Sequence, residues 1–416
     1  MDTNGQTRPR RLLLCLDGVP HRLIEEAKGR GLFEGFGSPT RLLSPFPTMT
    51  NVALSAMLGA SPPQGYESLY FDRKAGELRG GIRKYLGRRT PDKIPSSYMD
   101  DLDYQEPLPF EFLIYVAPER VWRADMQRFR ERFRAAPQTR DYFAFLKATD
   151  GLLHAQGPSR LGVALQSLDK ILKEIQDYCG DETEIVMFSD HGMNLEENRR
   201  VDLATTLQKQ TFQVVGQFTL NRKRELSMPA FGLSSDAAAY CGDASMTPEA
   251  ARAMIEIRGV DFVVYKDGPE VVLESSRGSA RIQRRANDYA YVNKNGDPLE
   301  LESTIRVLRD KGQLDQDGFG SDAVWYEHTR AHRYPDALTN IYASLFTPRV
   351  KHTADILISL HDGYYYGWSP FGRLVRLAAT HGNALQASSN AFLMSTHREL
   401  PAYVRADDAK SLLRSQ

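Results

Sequence analysis

Asp190 and His191, in the stretch SDHGM, set a carboxylate beside an imidazole directly after the apolar run EIVMF. Three other places in the chain repeat the pattern of an apolar run closed by cation-binding groups. Asp17 follows LLLCL, Asp150 follows YFAFLKAT with His154 four residues on, and His381 follows LVRLAAT and precedes Gly382. Carboxylate oxygen and imidazole nitrogen suit hard and borderline dications, and a catalytic zinc takes about three protein ligands. Asp17, Asp150, His154, Asp190, His191 and His381 would therefore suffice for two ions in one cleft. Each has a plainer reading as well. Asp17 could simply open a turn, Asp150 and His154 have the spacing of neighbours on a helix face, and Thr-His-Gly is common in loops.

Hydrolytic chemistry at such a centre needs a nucleophile. Thr50 stands before NVALSAMLG, at the mouth of a helical pattern. Unpaired N–H groups and the positive end of the helix dipole make that position a natural phosphate site. A threonine there serves equally well as an ordinary N-cap.

The elements that must position these groups follow from the patterning. RLLLCLD (11–17) is an apolar run ending in an acid, suited to a strand buried on both faces of a parallel sheet. PHRLIEEAKGRG predicts a helix opened by Pro20 and closed near Gly29 or Gly31. TNVALSAMLGASPP (50–63) predicts another, stopped by glycine and prolines. Two apolar runs, 141–149 and 184–189, flank the helical pattern RLGVALQSLDKILKEIQDYCG. Strand, helix, strand, with acids at the strand ends, is the arithmetic of an α/β fold, and functional groups in such sheets collect at the carboxyl edge.

After about residue 200 the character changes. Short β-type runs separated by DG, RGS and NGD turns predict a small antiparallel region over 258–300. ADILISLHDG (354–363) then restores a buried strand. The expected architecture is a central, mostly parallel sheet sandwiched by helices, with core segments 10–204 and 346–405 and an inserted cap over 205–345.

Composition narrows the function. The chain has 416 residues, 41% of them hydrophobic, with 53 Lys and Arg against 53 Asp and Glu. Zero net charge gives no electrostatic reason to expect nucleic acid or an anionic membrane as partner. RFRERFR (128–134) reads as a solvated helix face. Cys15, Cys179 and Cys241 are widely spaced with no CxxC, as in a reducing compartment. The apolar run after Arg8, Arg10 and Arg11 is too short for a signal peptide or membrane span, so the expectation is a soluble, cytoplasmic protein.

Taken in order, these residues resemble the alkaline phosphatase superfamily, and most closely its nucleotide pyrophosphatase/phosphodiesterase-like branch. The likeness rests on DG (17–18), FPTMTNVALSAMLGASPPQGY (46–66), DGLLHAQG (150–157), SDHGM (189–193) and THG (380–382). It implies an alkaline phosphatase-like core and two divalent metal ions, zinc in the first place and manganese in the second. One would be held by Asp17, Thr50, Asp190 and His191, the other by Asp150, His154 and His381. It also implies a small-molecule phosphate ester as substrate, hydrolysed through a covalent phosphothreonine on Thr50.

The chain departs from the branch in one respect that bears on substrate. Where relatives place an Asn against a phosphoryl oxygen, this sequence reads SLYFDR (68–73), with Tyr70 or Phe71 in its place and Asn51 as a substitute beside the Thr. The nucleotide is thus not carried over as substrate. Tyr70, Arg73, Arg83 and Lys84 are candidates to reach the substrate, and His361-Asp362 is expected behind the ligands. The C/SxPxR signature of formylglycine sulfatases is absent, as is the GNSEVGH-like serine motif of phosphoglycerate mutases. Phosphonate or sulfate-ester hydrolysis by the same groups is the second expectation, and a non-catalytic binding relative the third.

Overall fold

The computed structural model describes residues 10–81, 94–114, 116–219, 222–367 and 377–413. Two large sheets organise them. The first has seven strands in the order 403–405, 40–43, 390–395, 184–188, 11–16, 142–146 and 104–105. Only Asn390–Ser395 runs antiparallel to its neighbours, so the layer is mostly parallel as expected.

Arg11–Leu16 is central because both of its faces are apolar. Leu12, Leu14 and Leu16 pack with the helices His21–Gly29, Pro118–Ala135 and Pro158–Cys179. Leu13 and Cys15 face the other way, against the helix Thr50–Leu58. Full burial of each leucine contributes about 1.5–3 kcal/mol, so a polar replacement anywhere in this strand is costly. The basic stretch 128–134 is a solvated helix face: Phe129 and Phe133 are fully buried while Arg128, Arg132 and Arg134 are exposed. Gly59 ends the helix Thr50–Leu58 in the left-handed conformation, with φ 59°.

The second sheet has nine strands, in the order 320–321, 288–296, 278–285, 270–275, 260–267, 356–360, 236–241, 225–227 and 213–214. It is antiparallel except for the pairing of Glu225–Ser227 with Gln213–Val214. Helices Ala337–Phe346 and Thr247–Ile255 cover its opposite faces. The antiparallel region is thus larger than the 258–300 stretch expected for it. Ile356–Leu360, expected to restore the parallel core, instead pairs with Asp236–Cys241 and Val260–Asp267 in this sheet. A continuous apolar run reads alike in either kind of doubly covered sheet, so its pattern could not choose between them. Among the described residues no helix is long and apolar enough to cross a membrane.

Candidate metal centre

Parallel strands deliver most of the site. Asp17 directly follows Arg11–Leu16, and Asp190 and His191 come just after Glu184–Phe188, the neighbouring strand. Asp150 lies in the first turn of the helix Ala148–Gln156, which follows the strand on the other side, and His154 is one turn further along that helix. His381 arrives differently. Expected at a strand end, it sits on a loop whose preceding residue, Thr380, makes one bridge to Asn194.

The expected ligands converge. Asp150 Oδ1 is 3.2 Å from His154 Nε2 and 3.6 Å from His381 Nε2. His191 Nε2 is 3.6 Å from Asp17 Oδ1 and 3.3 Å from Asp190 Oδ2. The rings of His191 and His381 stack with centroids 3.8 Å apart. Ligand atoms of Asp17, Asp190 and His191 lie within 4.8 Å of one another, as do those of Asp150, His191 and His381, so His191 belongs to both groups.

The tautomers are set by carbonyl groups. Nδ1 of His154 is 2.8 Å from the Ala379 oxygen, that of His381 is 2.8 Å from the Thr48 oxygen, and that of His191 is 2.9 Å from the Gly192 oxygen. A carbonyl oxygen only accepts, so each Nδ1 carries the proton and each Nε2 presents its lone pair. All three lone pairs face carboxylate oxygens. Acceptor against acceptor is stable only with a cation or a proton between them. Asp17 Oδ2, Asp150 Oδ1 and Asp190 Oδ2 are buried without a hydrogen-bond donor, which is the donor set a divalent cation takes.

Charge regulation agrees. Burial pushes Asp17 well above the usual carboxylate range, with Asp190 and Asp150 adding repulsion. Burial likewise raises Asp190 to about 6, although Gly18 N–H donates to its Oδ1 at 3.0 Å. The imidazoles of His191 and His381 are pushed down, to about 4 and about 3, by burial first. Asp150 goes the other way: burial would raise it, but His154, His381 and His191 together hold it low, and it in turn raises His154. Around Asp17, Asp190, His191 and His381 burial thus opposes charge on acid and imidazole alike, while Asp150 and His154 support each other's charged forms.

Thr50 is the first residue of its helix rather than the cap. Met49 takes the cap position, and the Thr50 hydroxyl lies 3.3 Å from Asp17 Oδ1 and 3.2 Å from His191 Nε2. Asn51 follows it, half-buried, with its Oδ1 accepting from the Tyr98 hydroxyl at 2.8 Å. Tyr70 is packed elsewhere, 4% exposed and stacked on His352. Arg73 pairs with Asp355, and Arg83 and Lys84 lie outside the described residues.

Sequence reasoning missed the frame around the ligands. Gly18 has φ +68°, and a Cβ there would stand 2.9 Å from Asp150 Oδ1, so only glycine lets Asp150 close on Asp17. Thr48 Oγ1 accepts from Gly382 N–H at 2.8 Å while its carbonyl orients His381. The antiparallel layer holds the His381 loop from outside. Ser235 N–H donates to the His381 carbonyl at 2.6 Å, and Ser235 Oγ accepts from Asn383 N–H at 3.1 Å. Gly18 was visible in the DG pair; nothing local marks Ser235 or Thr48.

The family model for type I phosphodiesterase / nucleotide pyrophosphatase matches residues 82–382, more than half of the chain. The chain belongs to this family. It is accordingly an enzyme of the phosphoester hydrolase class. The matched span contains Asp150, His154, Asp190, His191 and His381, and geometry joins Asp17 and Thr50 to them. Among solved structures, phosphonoacetate hydrolase from Sinorhizobium meliloti 1021 in complex with phosphonoformate is 15% identical with TM-score 0.50, over 98% of this chain and 95% of its own. The same hydrolase with phosphonoacetate gives 15% and 0.50 over 99% and 97%. Murine ectonucleotide pyrophosphatase / phosphodiesterase 5 is 12% identical with TM-score 0.48, over 97% and 94%. At such identities the likeness is one of fold. A search of the curated proteins found no match.

Proposed function

We propose that the chain hydrolyses a small phosphate ester in two steps through a phosphorylated Thr50, at a centre built for two divalent cations. The observation that carries this reading is the position of the Thr50 hydroxyl, in contact with Asp17 and His191 at a helix entrance and not spent on a cap. In the first step the Thr50 hydroxyl gives its proton to solvent water, its oxygen forms a bond to phosphorus, and the bond from phosphorus to the leaving oxygen breaks. That oxygen departs with the electron pair and takes its proton from water. In the second, water enters opposite Thr50, on the side the leaving group vacated, bonds to phosphorus and gives a proton to solvent. The bond from phosphorus to Thr50 breaks, the Thr50 oxygen regains a proton, and inorganic phosphate or a monoester is released.

Each residue has a role in this scheme. Asp17 Oδ1 accepts the Thr50 O–H and aims the oxygen. The free N–H groups of the first helical turn, with the Asn51 amide, donate to the equatorial phosphoryl oxygens. Tyr70 packs on His352, which lends no support to a contact with substrate. Asp17, Asp190 and His191 would hold one cation with Thr50, and Asp150, His154 and His381 the other. A bound pair would lower the hydroxyl's pKa and offset charge on both apical oxygens. Mixed carboxylate and imidazole donors suit zinc first and manganese second. Cys15, Cys179 and Cys241, all free thiols, support a reducing, cytoplasmic setting.

Phosphonate hydrolysis is the second reading, suggested by the phosphonoacetate hydrolase among similarly folded proteins. A panel of nitrophenyl mono- and diesters, a sulfate ester and phosphonoacetate, assayed with zinc and with manganese, separates the two. Ester turnover with phosphate trapped on Thr50 after acid quench is expected. Turnover confined to phosphonoacetate or the sulfate ester overturns the ester assignment, and turnover without any phosphothreonine overturns the covalent route.

A further inference from the structure

Behind the ligands, one carboxylate joins two loops that are far apart in sequence. Asp362 Oδ1 accepts from Asn383 Nδ2 at 3.0 Å and from Asn194 Nδ2 at 3.4 Å. Asn194 comes three residues after His191, and Asn383 two residues after His381. Both asparagines are essentially inaccessible, at 1% and 0% exposure, so every donor on them must be met inside the protein.

The accounting closes on Asp362. An amide NH2 has two donors. Those of Asn383 go to the Leu360 carbonyl at 2.9 Å and to Asp362. Those of Asn194 go to Asn198 Oδ1 at 3.1 Å and to Asp362. The remaining ends of the same side chains fasten the ligand loops. Asn194 Oδ1 accepts from Thr380 N–H at 3.0 Å, directly before His381, and Asn383 Oδ1 accepts from Leu385 N–H at 3.2 Å. Asp362 itself follows Ile356–Leu360, so it is anchored in the antiparallel sheet.

We propose that Asp362 is a positioning residue for both cation sites at once, a single acceptor that fixes the His191 loop against the His381 loop. This inference rests on the two-cation reading above. His191 and His381, stacked at 3.8 Å, are the two rings whose relative placement this link controls. Loss of the acceptor strands one buried donor on each asparagine and leaves the Asn194–Thr380 pairing as the direct tie between the two loops. Residues one shell behind metal ligands typically change metal affinity about 10- to 100-fold when removed.

The test is Zn2+ affinity, measured by competition with a chromophoric chelator on folded protein. Asp362→Ala should weaken both Zn2+ equivalents together by about 10- to 100-fold. Asp362→Asn, which keeps an acceptor oxygen, should recover most of that loss. Asp336→Asn is the control for a merely structural effect. Asp336 is a buried carboxylate held by Arg405, on the edge strand 403–405 of the first sheet, and its loss should lower the melting temperature with Zn2+ affinity unchanged. Equal Zn2+ affinity of wild type and Asp362→Ala would overturn the inference and leave the metal centre standing. So would weakening of one equivalent alone, or a loss that Asp336→Asn reproduces. A wild type that takes up no Zn2+ would overturn the two-cation reading and this inference with it.

Discussion

Asp17, Asp190 and His191 owe their places to two adjacent parallel strands, in register from Arg11 to Cys15, whose carboxyl ends bring the following residues side by side. His381 has no strand of its own. It is carried on a loop pinned by Ser235 and by Ser359, whose Oγ accepts from Ala384 N–H, both contributions of the antiparallel side. The parallel layer thus supplies ligands through chain direction alone, and the antiparallel layer supplies one through tertiary hydrogen bonds. Most of the centre is a property of secondary structure. The placing of His381 depends on two sheets holding their relative position.

Substitutions on the two sides should therefore differ in kind. The largest effect belongs to the proposed nucleophile: Thr50→Ala should cut kcat/KM at least about a thousandfold while bound metal remains, as read by steady-state kinetics and metal analysis. Gly18→Ala strikes the parallel side, driving a Cβ to 2.9 Å from Asp150 Oδ1 at φ +68°. Zn2+ affinity should fall roughly 100-fold, since the ligand itself is displaced. Ser235→Ala strikes the antiparallel side, removing the acceptor for Asn383 N–H but not the backbone bond to His381. A loss of roughly tenfold in Zn2+ affinity is expected, smaller because the loop keeps its other ties. If Ser235→Ala matched Gly18→Ala, the contrast between the layers would be wrong.

Acidity sharpens the same contrast. Asp190 is raised to about 6 in the metal-free site, so below that pH a cation must displace its proton. Apparent Zn2+ affinity should accordingly climb as pH rises through about 6, by about tenfold per unit for the Asp190 proton, with the raised Asp17 and His154 adding to the slope. His191 and His381, neutral from about 4 and about 3 upward, add nothing to this slope. Proton release measured during Zn2+ titration in weak buffer checks it, and release independent of pH between 5 and 7 contradicts it. The smallest effect is expected at Tyr98→Phe, which frees the Asn51 carbonyl from its donor. A fall in kcat of about threefold, with metal affinity unchanged, is the size of one neutral hydrogen bond.

Legibility in the sequence followed the same division. Asp17, Asp150 and Asp190 were readable because apolar runs ending in acids mark strand ends, and strand ends in a parallel sheet converge. His154 came with Asp150 through helical spacing. His381 was readable as a motif, although the reason given for its place, a strand end, was not the one the fold uses. Ser235, Thr48 and Asp362 were either unmarked or only vaguely placed, since their roles consist of hydrogen bonds across more than a hundred residues in most cases. The strand Ile356–Leu360 went to the wrong sheet for a related reason: ILISL says that both faces are buried but not which partners bury them.

Anomalous scattering from crystals grown with zinc addresses the central claim most directly. Two peaks are predicted, about 4 Å apart, one beside Asp17, Asp190 and His191 and one beside Asp150, His154 and His381, with the Thr50 oxygen facing them. A map in which this cluster holds no zinc, or in which zinc sits only at other residues, would contradict the account.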